Sequence, residues 1–265
     1  MMTLFRILLQ KYKKNSYLCT EKEKNMLSKN QIKFVRALEL KKNRKHQGLF
    51  VAEGPKVVGD LLRAGYEATM LFSTHERTGA QIVTEDELQR ISFLQHPQEV
   101  LAVFRIPTKT GEATVDDTLL SLALDGVQDP GNLGTIIRIA DWFGIRTIFC
   151  SPDTADVYNP KVVQATMGSL AHVNVVYTDL VKLLSATTVP VYGTLLDGKD
   201  IYHEELSTTG IIVMGNEGNG ISQEIRRLVS HKLLIPNFHP SSETAESLNV
   251  AIATAITCSE FRRRF

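Results

Sequence analysis

Three loop segments hold the residues best suited to carry chemistry. The first, Leu124–Gly144, reads LDGVQDPGNLGTIIRIADWFG. Its turn from Asp129 to Asn132 follows an apolar run, and Gly134 allows a close backbone approach where a helix begins. Arg138 lies six residues after Asn132, so both side chains could face one cleft at the start of that helix. The alternative is an ordinary helix entry with an asparagine cap and a surface arginine.

The second segment, Ile211–Ser222, is an apolar run that leads into a glycine-rich loop, GNEGNG at 215–220. Its order, G-x-x-G-x-G, is not the dinucleotide fingerprint, and it is not a Walker loop because no Gly-Lys-Ser/Thr follows. Glu217 inside the loop would repel a phosphate, so the loop suits a ligand with cationic or hydroxyl groups better. The alternative is a flexible turn from a strand into a helix.

The third segment, Ile235–Phe261, leads into the last helix. Ser247, Leu248 and Asn249 stand at the entry of that helix, where Ser247 is a natural N-cap and needs no other role. The helix can pack closely on a neighbour because it carries small residues at Ala251, Ala253, Thr254 and Ala255. The arginines at 262–264 suit the dipole of its C-terminus and need no RNA to explain them.

Other chemistries are excluded by motifs that the sequence lacks. It has no G-x-S-x-G elbow, no H-E-x-x-H pair and no C-x-x-C pair. Its three cysteines argue against a disulfide framework and a structural zinc site, so we expect no metal. No run approaches the roughly 20 apolar residues that span a bilayer. We therefore expect a cytoplasmic protein without a membrane partner.

The elements that position these segments alternate between strand and helix. Short apolar runs, typical of buried parallel strands, occur at Leu119–Leu124, Thr147–Cys150, Val173–Val176, Val189–Leu195, Ile211–Met214 and Leu233–Ile235. Helical segments include Thr135–Phe143, Lys161–Gly168, Gln223–Val229 and Ser247–Phe265. This alternation predicts an open parallel sheet covered on both faces. Ligands of such sheets bind beyond the carboxyl ends of the strands, where the three loop segments lie.

A smaller α/β unit precedes this sheet. We predict strands at Gly48–Ala52, Thr69–Ser73 and Val100–Phe104, a helix at Pro55–Ala64, and a capping box formed by Thr84 and Glu87. The helical spacing of Ile32, Val35, Leu38 and Leu40 adds an N-terminal helix. The domain boundaries follow as a disordered extension at 1–25, a substrate domain at 26–106, a linker at 107–117 and a second domain at 118–265.

The charge is divided unevenly along the chain. The totals of 30 Lys and Arg against 29 Asp and Glu nearly cancel, but residues 1–60 hold 14 basic and 5 acidic side chains. A basic segment of this kind indicates contact with nucleic-acid phosphates. The candidate RNA-binding residues are Lys33, Arg36, Lys41, Lys42, Arg44 and Lys45.

Taken together, the three segments resemble the ordered motifs of the SpoU family, the TrmH-like members of the SPOUT class of RNA 2′-O-ribose methyltransferases. The matching residues are Asn132-x-Gly134-x-x-x-Arg138, then GNEGxGIS at 215–222, then Ile235-Pro236 with SLNV at 247–250. The stretch KFVRALELKKNRKHQGLFVAEG at 33–54 resembles the substrate-binding domain of many family members, which is similar to a ribosomal protein that binds RNA.

The resemblance implies a fold, a cofactor and a site. The fold would be an α/β domain with a deep trefoil knot, a rare exception to unknotted chains, and the protein would work as a homodimer. The knot would form the pocket for S-adenosylmethionine, lined by Leu195, Gly215, Asn216, Gly220, Ile235 and Leu248. The reaction site would be lined by Asn132, Arg138, Glu217, Ser247 and Asn249. The connection at 237–245 is longer than usual, so His239 or Ser241 could contact ligand.

The implied reaction transfers a methyl group from S-adenosylmethionine to a ribose 2′-hydroxyl of structured RNA, with 23S-type ribosomal RNA favoured over tRNA. A guanidinium stays protonated, so we expect Arg138 to clamp a phosphate and stabilise developing alkoxide, while water or a phosphate oxygen takes the proton. Asn132 and Asn249 would orient the ribose. Two alternatives remain: a Rossmann-like enzyme, although 129–134 lacks the required glycines, and a non-catalytic RNA-binding protein.

Overall fold

The computed structural model describes residues 26–108, 113–239 and 247–263. The predictions made for the extension 1–25, for Ser241 and for Arg264 lie outside these residues. The described chain forms two sheets, of four and six strands. The first sheet with its helices, at 27–105, is called the N-terminal unit below.

The N-terminal unit has a sheet in the order β1-β4-β2-β3. Its elements are α1 (Lys29–Ala37), α2 (Lys41–Gln47), β1 (Leu49–Glu53), α3 (Pro55–Arg63), β2 (Ala68–Ser73), β3 (Gln81–Ile82), α4 (Glu85–Ile91) and β4 (Val100–Arg105). The capping box predicted for Thr84 and Glu87 is present at the start of α4. The N-terminal helical pattern divides into α1 and α2, because the chain leaves the helix at Leu38 and Leu40 is exposed between them.

The second sheet has the order β10-β8-β9-β5-β6-β7, and all its neighbouring strands are parallel. Its elements are β5 (Leu120–Leu124), α5 (Pro130–Trp142), β6 (Thr147–Cys150), α6 (Pro160–Ala165), β7 (Asn174–Tyr177), α7 (Leu180–Ala186), β8 (Val191–Asp200), β9 (Gly210–Met214), α8 (Gln223–Arg226), β10 (His231–Leu234) and α9 (Val250–Arg263). The prediction of a parallel α/β sheet is confirmed. Its central strands β5 and β9 are buried throughout, which explains their uninterrupted apolar sequences.

Among the elements whose bounds differ from the predicted ones, two do so for identifiable reasons. The helix predicted to reach Gly168 ends at Ala165, because Met167 and Gly168 take positive φ values of 52° and 100°. Strand β8 runs on to Asp200, but its pairing with β10 jumps from Gly193 to Lys199. The residues between form a bulge in the pairing of these two strands. A side chain on Gly198 would lie 2.4 Å from the carbonyl carbon of Leu233, so glycine lets the two strands approach.

The two sheets share a continuous apolar core. One cluster of buried side chains includes Phe50 and Phe104 of the N-terminal unit together with Leu122 and Ile148 of the second sheet. The rings of Phe50 and Tyr158 lie 4.7 Å apart across the boundary. The N-terminal unit is therefore packed onto the larger sheet.

Among the described residues, no helix combines the length and the apolar character needed to cross a bilayer.

Candidate functional site

The first and second loop segments meet at the carboxyl ends of β5 and β9, which are neighbouring strands with Leu124 opposite Met214. Asp125 links the two loops, because its N–H donates to Met214 O at 2.9 Å and its carboxylate accepts the N–H of Ser222 at 2.7 Å. Asn216 adds a third link by donating from Nδ2 to Gly126 O at 2.7 Å. Sequence reasoning missed Asp125, although an acidic residue directly after a buried strand is a detectable signal.

The glycine-rich loop is folded tightly on itself. Asn216 exchanges two backbone hydrogen bonds of 2.9 Å with Gly220, and its Oδ1 accepts the N–H groups of Gly218 and Asn219. A Cβ on Gly215 would lie 2.2 Å from the carbonyl carbon of Gly220, so only glycine fits there. Close backbone approach, rather than phosphate binding, accounts for this part of the pattern. The alternative of a merely flexible turn does not fit so many internal hydrogen bonds.

Three side chains, one from each loop segment, form a single hydrogen-bonded network. Asn132 donates from Nδ2 to Glu217 Oε1 at 3.0 Å, and Asn249 donates from Nδ2 to Asn132 Oδ1 at 2.9 Å. The carboxylate of Glu217 also accepts the N–H groups of Gln128 and Asp129, each at 3.2 Å. A carboxylate only accepts, so it dictates the orientation of the Asn132 amide and, through it, that of Asn249.

The network occupies the entries of two helices whose caps differ from those predicted. Asp129 caps α5 by accepting the N–H of Asn132 at 2.8 Å, so the interpretation of Asn132 as the cap is wrong. Asn249 accepts the N–H groups of Ala251 and Ile252 at the start of α9. The proposed cap Ser247 is wrong as well, because it lies three residues before the first helical residue. Asn132 therefore keeps its side chain for the network.

Glu217 is ionised in this setting. Partial burial raises the pKa of its carboxyl group, but the hydrogen bonds from Asn132 and from the backbone, including the N–H groups of Gln128 and Asp129, together hold that pKa below the ordinary value of 4.5. The site therefore has the negative charge of Glu217 within the glycine-rich loop at 215–220. Such a charge favours a cationic ligand over a phosphate.

A cavity of about 410 Å³ opens next to this network, within the size range of ligand sites. Its lining includes the six predicted cofactor residues and two predicted reaction-site residues, namely Leu195, Gly215, Asn216, Gly220, Ile235, Leu248, Glu217 and Ser247. A larger cleft of about 950 Å³ lies along β7 and α7. None of the three loop segments reaches that larger cleft, so the smaller cavity is the candidate site.

Arg138 stands apart from the network. It is exposed on α5, and within the described residues no hydrogen bond or ion pair holds its side chain. Six residues along a helix turn about 600°, which leaves Asn132 and Arg138 about 120° apart around the axis. Neither side chain lines the cavity of about 410 Å³, and the expectation that both face one cleft stays a prediction. Arg138 is free to meet an external group.

The predicted RNA-binding residues divide into two groups. Lys33, Lys41, Lys42 and Lys45 are exposed on α1 and α2. Arg44 is only 2% exposed and pairs with Asp156 at 2.5 Å, so its assignment as a phosphate-binding residue is wrong. Arg36 is half-buried; its guanidinium lies 4.8 Å above the Phe93 ring and donates to Ser92 O. Arg36 therefore has structural contacts, and only part of its side chain is accessible to a ligand.

Comparison with known proteins identifies the family. A sequence model described as the SpoU rRNA Methylase family matches residues 119–259, and one described as the MRM3-like substrate binding domain matches residues 29–102. This chain belongs to the SpoU rRNA methylase family. The resemblance drawn from the three motifs is thereby confirmed. Among the described residues, no group of three or more His, Cys, Asp or Glu side chains is placed to hold a metal ion.

Relatives within the SpoU family match nearly the whole chain. The 23S rRNA (guanosine(2553)-2′-O)-methyltransferase RlmP of Bacillus subtilis is 35% identical over 86% of this chain and 95% of its own length. A protein described as an RNA methyltransferase of the TrmH family from Porphyromonas gingivalis is 44% identical, with a TM-score of 0.79 over 91% of this chain and 100% of that one. An AdoMet-bound rRNA methyltransferase from Sinorhizobium meliloti is 33% identical, with a TM-score of 0.79 over 90% of this chain and 96% of that one.

Proposed function

We propose that this protein transfers a methyl group from S-adenosylmethionine to a ribose 2′-hydroxyl of 23S-type ribosomal RNA. The observation that carries the proposal is the network of Glu217, Asn132 and Asn249, which unites the three family motifs beside one cavity. The RlmP relative, a named 23S rRNA 2′-O-methyltransferase that matches along most of the chain, supports the substrate and the reaction.

The residues around the cavity fit S-adenosylmethionine. Leu195, Ile235 and Leu248 give an apolar wall for the adenine ring, and the loop at 215–220 offers backbone groups at close range. The ionised carboxylate of Glu217 complements a sulfonium cation. When bound, the cofactor supplies an electrophilic methyl group. The AdoMet-bound relative from Sinorhizobium meliloti supports the same assignment.

The chain's own residues would place the ribose. Glu217 holds the amide of Asn132, and Asn132 holds that of Asn249, so the amides are oriented before RNA arrives. Asn132, Asn249 and Ser247 would then orient the ribose hydroxyls. The unengaged guanidinium of Arg138 would clamp a phosphate and stabilise the developing alkoxide, while the proton leaves to water or to a phosphate oxygen.

The proposal also assigns a role to each part of the chain. Residues 26–106 would bind RNA through Lys33, Lys41, Lys42 and Lys45, and residues 118–265 would catalyse methyl transfer. Residues 107–117 would be the linker between these two domains, and residues 1–25 would be an extension. We propose a homodimer in the cytoplasm. The trefoil knot implied by the resemblance stays a prediction.

The test is methyl transfer from S-adenosylmethionine carrying a tritiated methyl group. We expect label in purified 23S ribosomal RNA lacking the modification, at a 2′-oxygen, and none in tRNA. Label in tRNA alone would show that the substrate is tRNA, which is the alternative, and that ribosomal RNA is not the substrate. A folded protein that binds the cofactor but labels neither RNA would favour the non-catalytic RNA-binding alternative.

Arg138 has a test of its own. Arg138→Ala should lower kcat by a factor on the order of 100 to 1000, as expected for the loss of a charged transition-state donor, while the Kd for S-adenosylmethionine stays unchanged. Arg138→Lys should recover only part of the rate, because an ammonium lacks the bidentate fork. Turnover of Arg138→Ala within a few-fold of the wild type would remove Arg138 from the reaction site.

A further inference from the structure

Arg44 lies in the middle of a basic helix, yet its guanidinium is enclosed at the boundary between the N-terminal unit and the larger sheet. It is 2% exposed, between the exposed Lys42 and Lys45. Nε and Nη2 donate to Oδ2 of Asp156 at 3.1 and 2.5 Å, across 112 residues of chain. Nη1 donates to the carbonyls of Leu38 and Glu39 at the end of α1, at 2.8 and 2.6 Å. One side chain therefore joins both basic helices to Asp156.

Asp156 belongs to the loop at 151–159, which follows β6. The first half of this loop is fastened to the first motif segment. Ser151 Oγ accepts the N–H of Gly126 at 2.8 Å, Thr154 Oγ1 donates to Leu124 O at 3.1 Å, and the N–H of Ala155 donates to Val127 O at 2.9 Å. The residue next to Asp156 thus pairs with the backbone two residues before Asp129, the cap of α5.

The first motif segment also contacts the reaction site. Gly126, which donates to the 151–159 loop, also accepts a hydrogen bond from Asn216 of the glycine-rich loop. The N–H of Asp129, the cap of α5, donates to Glu217. The contacts are therefore continuous from the basic helices through Arg44, Asp156 and the 151–159 loop to the network of Glu217, Asn132 and Asn249.

We propose that Asp156 is a positioning residue that fixes the basic helices at a set orientation to the reaction site through its ion pair with the buried Arg44. The proposal rests on the proposed function, in which those helices hold RNA while Asn132 and Asn249 hold the target ribose. A single RNA must reach both places at once. Small errors in such an alignment reduce the rate strongly.

The ion pair supplies a directionality that the surrounding apolar packing lacks. Phe50 and Tyr158 pack across the same boundary, but apolar contact tolerates sliding because the hydrophobic effect is non-directional. The guanidinium of Arg44 has donors fixed in one plane, and each of its three nitrogens has an acceptor here. Asp156 is held in turn, because its Oδ1 accepts the N–H of Tyr158 at 3.1 Å.

The test compares Asp156→Asn with the wild type in the full chain. Asparagine keeps the shape and the hydrogen bond to Tyr158 but loses the charge. We expect kcat/KM for a 23S ribosomal RNA fragment to fall at least tenfold, while the Kd for S-adenosylmethionine, measured by calorimetry, stays within twofold. Asp156→Glu should recover part of the loss. The matched control Glu67→Gln breaks the exposed ion pair with Arg105 in the same unit and should change neither value.

Unpairing a buried arginine endangers folding, so a second variant removes both charges. Arg44→Met with Asp156→Asn leaves no buried cation and should show the same selective loss of kcat/KM for RNA. Unchanged kcat/KM in the folded double variant would overturn the proposal, and so would a cofactor Kd that weakens in parallel with the RNA value. Absence of methyl transfer by the wild type would instead overturn the proposed function.

Discussion

At the scale of single residues, the site is organised by one carboxylate. Glu217 accepts hydrogen bonds from Asn132 and from two backbone groups of the first motif, and Asn132 passes the orientation on to Asn249. The sequence presents these three residues as separate motif members. Their dependence on one another predicts that removing the middle member disconnects the other two.

Asn132→Ala should therefore abolish most methyl transfer without unfolding the protein. We expect kcat to fall by a factor of about 100 or more, because the ribose loses an oriented partner, while the Kd for S-adenosylmethionine changes by less than about threefold. Single-turnover transfer and calorimetry measure the two quantities. The matched control is Asn30→Ala, an exposed asparagine on α1. Equal rates for the two variants would contradict the assigned role.

The lowered pKa of Glu217 predicts how the network responds to acid. A carboxyl whose pKa is lower in the folded state adds stability above its unfolded value of 4.5 and loses it as the pH falls through the folded value. The difference in unfolding free energy between wild type and Glu217→Gln should thus be constant from pH 8 to about pH 6 and shrink below about pH 4.5. Denaturant titrations across this range measure it. A difference that grows on acidification would show the opposite sign of the shift.

At the scale of elements, close helix packing places the first motif. A Cβ on Gly134 of α5 would lie 2.4 Å from the Cβ of Ala165 in α6 and 2.9 Å from Val162 O. The predicted close approach of the backbone at Gly134 is therefore real, and α6 is the neighbour. Gly59 of α3 is a helical glycine of the opposite kind, since only the flexible end of Arg63 lies near its Cβ position, at 3.3 Å.

These two glycines should respond to the same substitution with opposite signs. Gly134→Ala should destabilise the fold by about 1–3 kcal/mol through overpacking between α5 and α6. Gly59→Ala should stabilise it by about 0.5–1 kcal/mol, because alanine favours the helix where space exists. Chemical denaturation of both variants measures the change in unfolding free energy. Equal effects would mean that the helices separate without cost.

At the scale of the whole molecule, part of the excess positive charge of residues 1–60 lies on two helices of the N-terminal unit. Helices α1 and α2 carry four exposed lysines, Lys33, Lys41, Lys42 and Lys45, and the buried Arg44 is neutralised by Asp156. The near-zero total charge of the chain conceals this basic surface. Its expected use is contact with RNA phosphates, which releases counterions and makes binding depend steeply on salt.

Lys42→Gln should accordingly weaken RNA binding and lower the slope of log K against log salt by about 0.7 to 0.9 in magnitude. Filter binding between low and moderate salt measures the slope. Lys199→Gln is the control, because Lys199 is exposed on β8 of the second sheet and is paired with Glu204. An identical slope for Lys42→Gln and wild type would remove α2 from the RNA interface.

The amino-acid pattern was sufficient to predict the fold class, the order of the motifs and several local features, such as the capping box at Thr84 and the close packing at Gly134. These follow from apolar period, glycine and cap residues, which act on near neighbours in the chain. The folded chain was needed to show that Arg44 is buried and that Asn132, Glu217 and Asn249 join in one network. Such outcomes depend on partners far along the chain, and Asp156 stands 112 residues from Arg44. A pattern over a few neighbouring residues cannot predict a contact between residues so far apart in the chain.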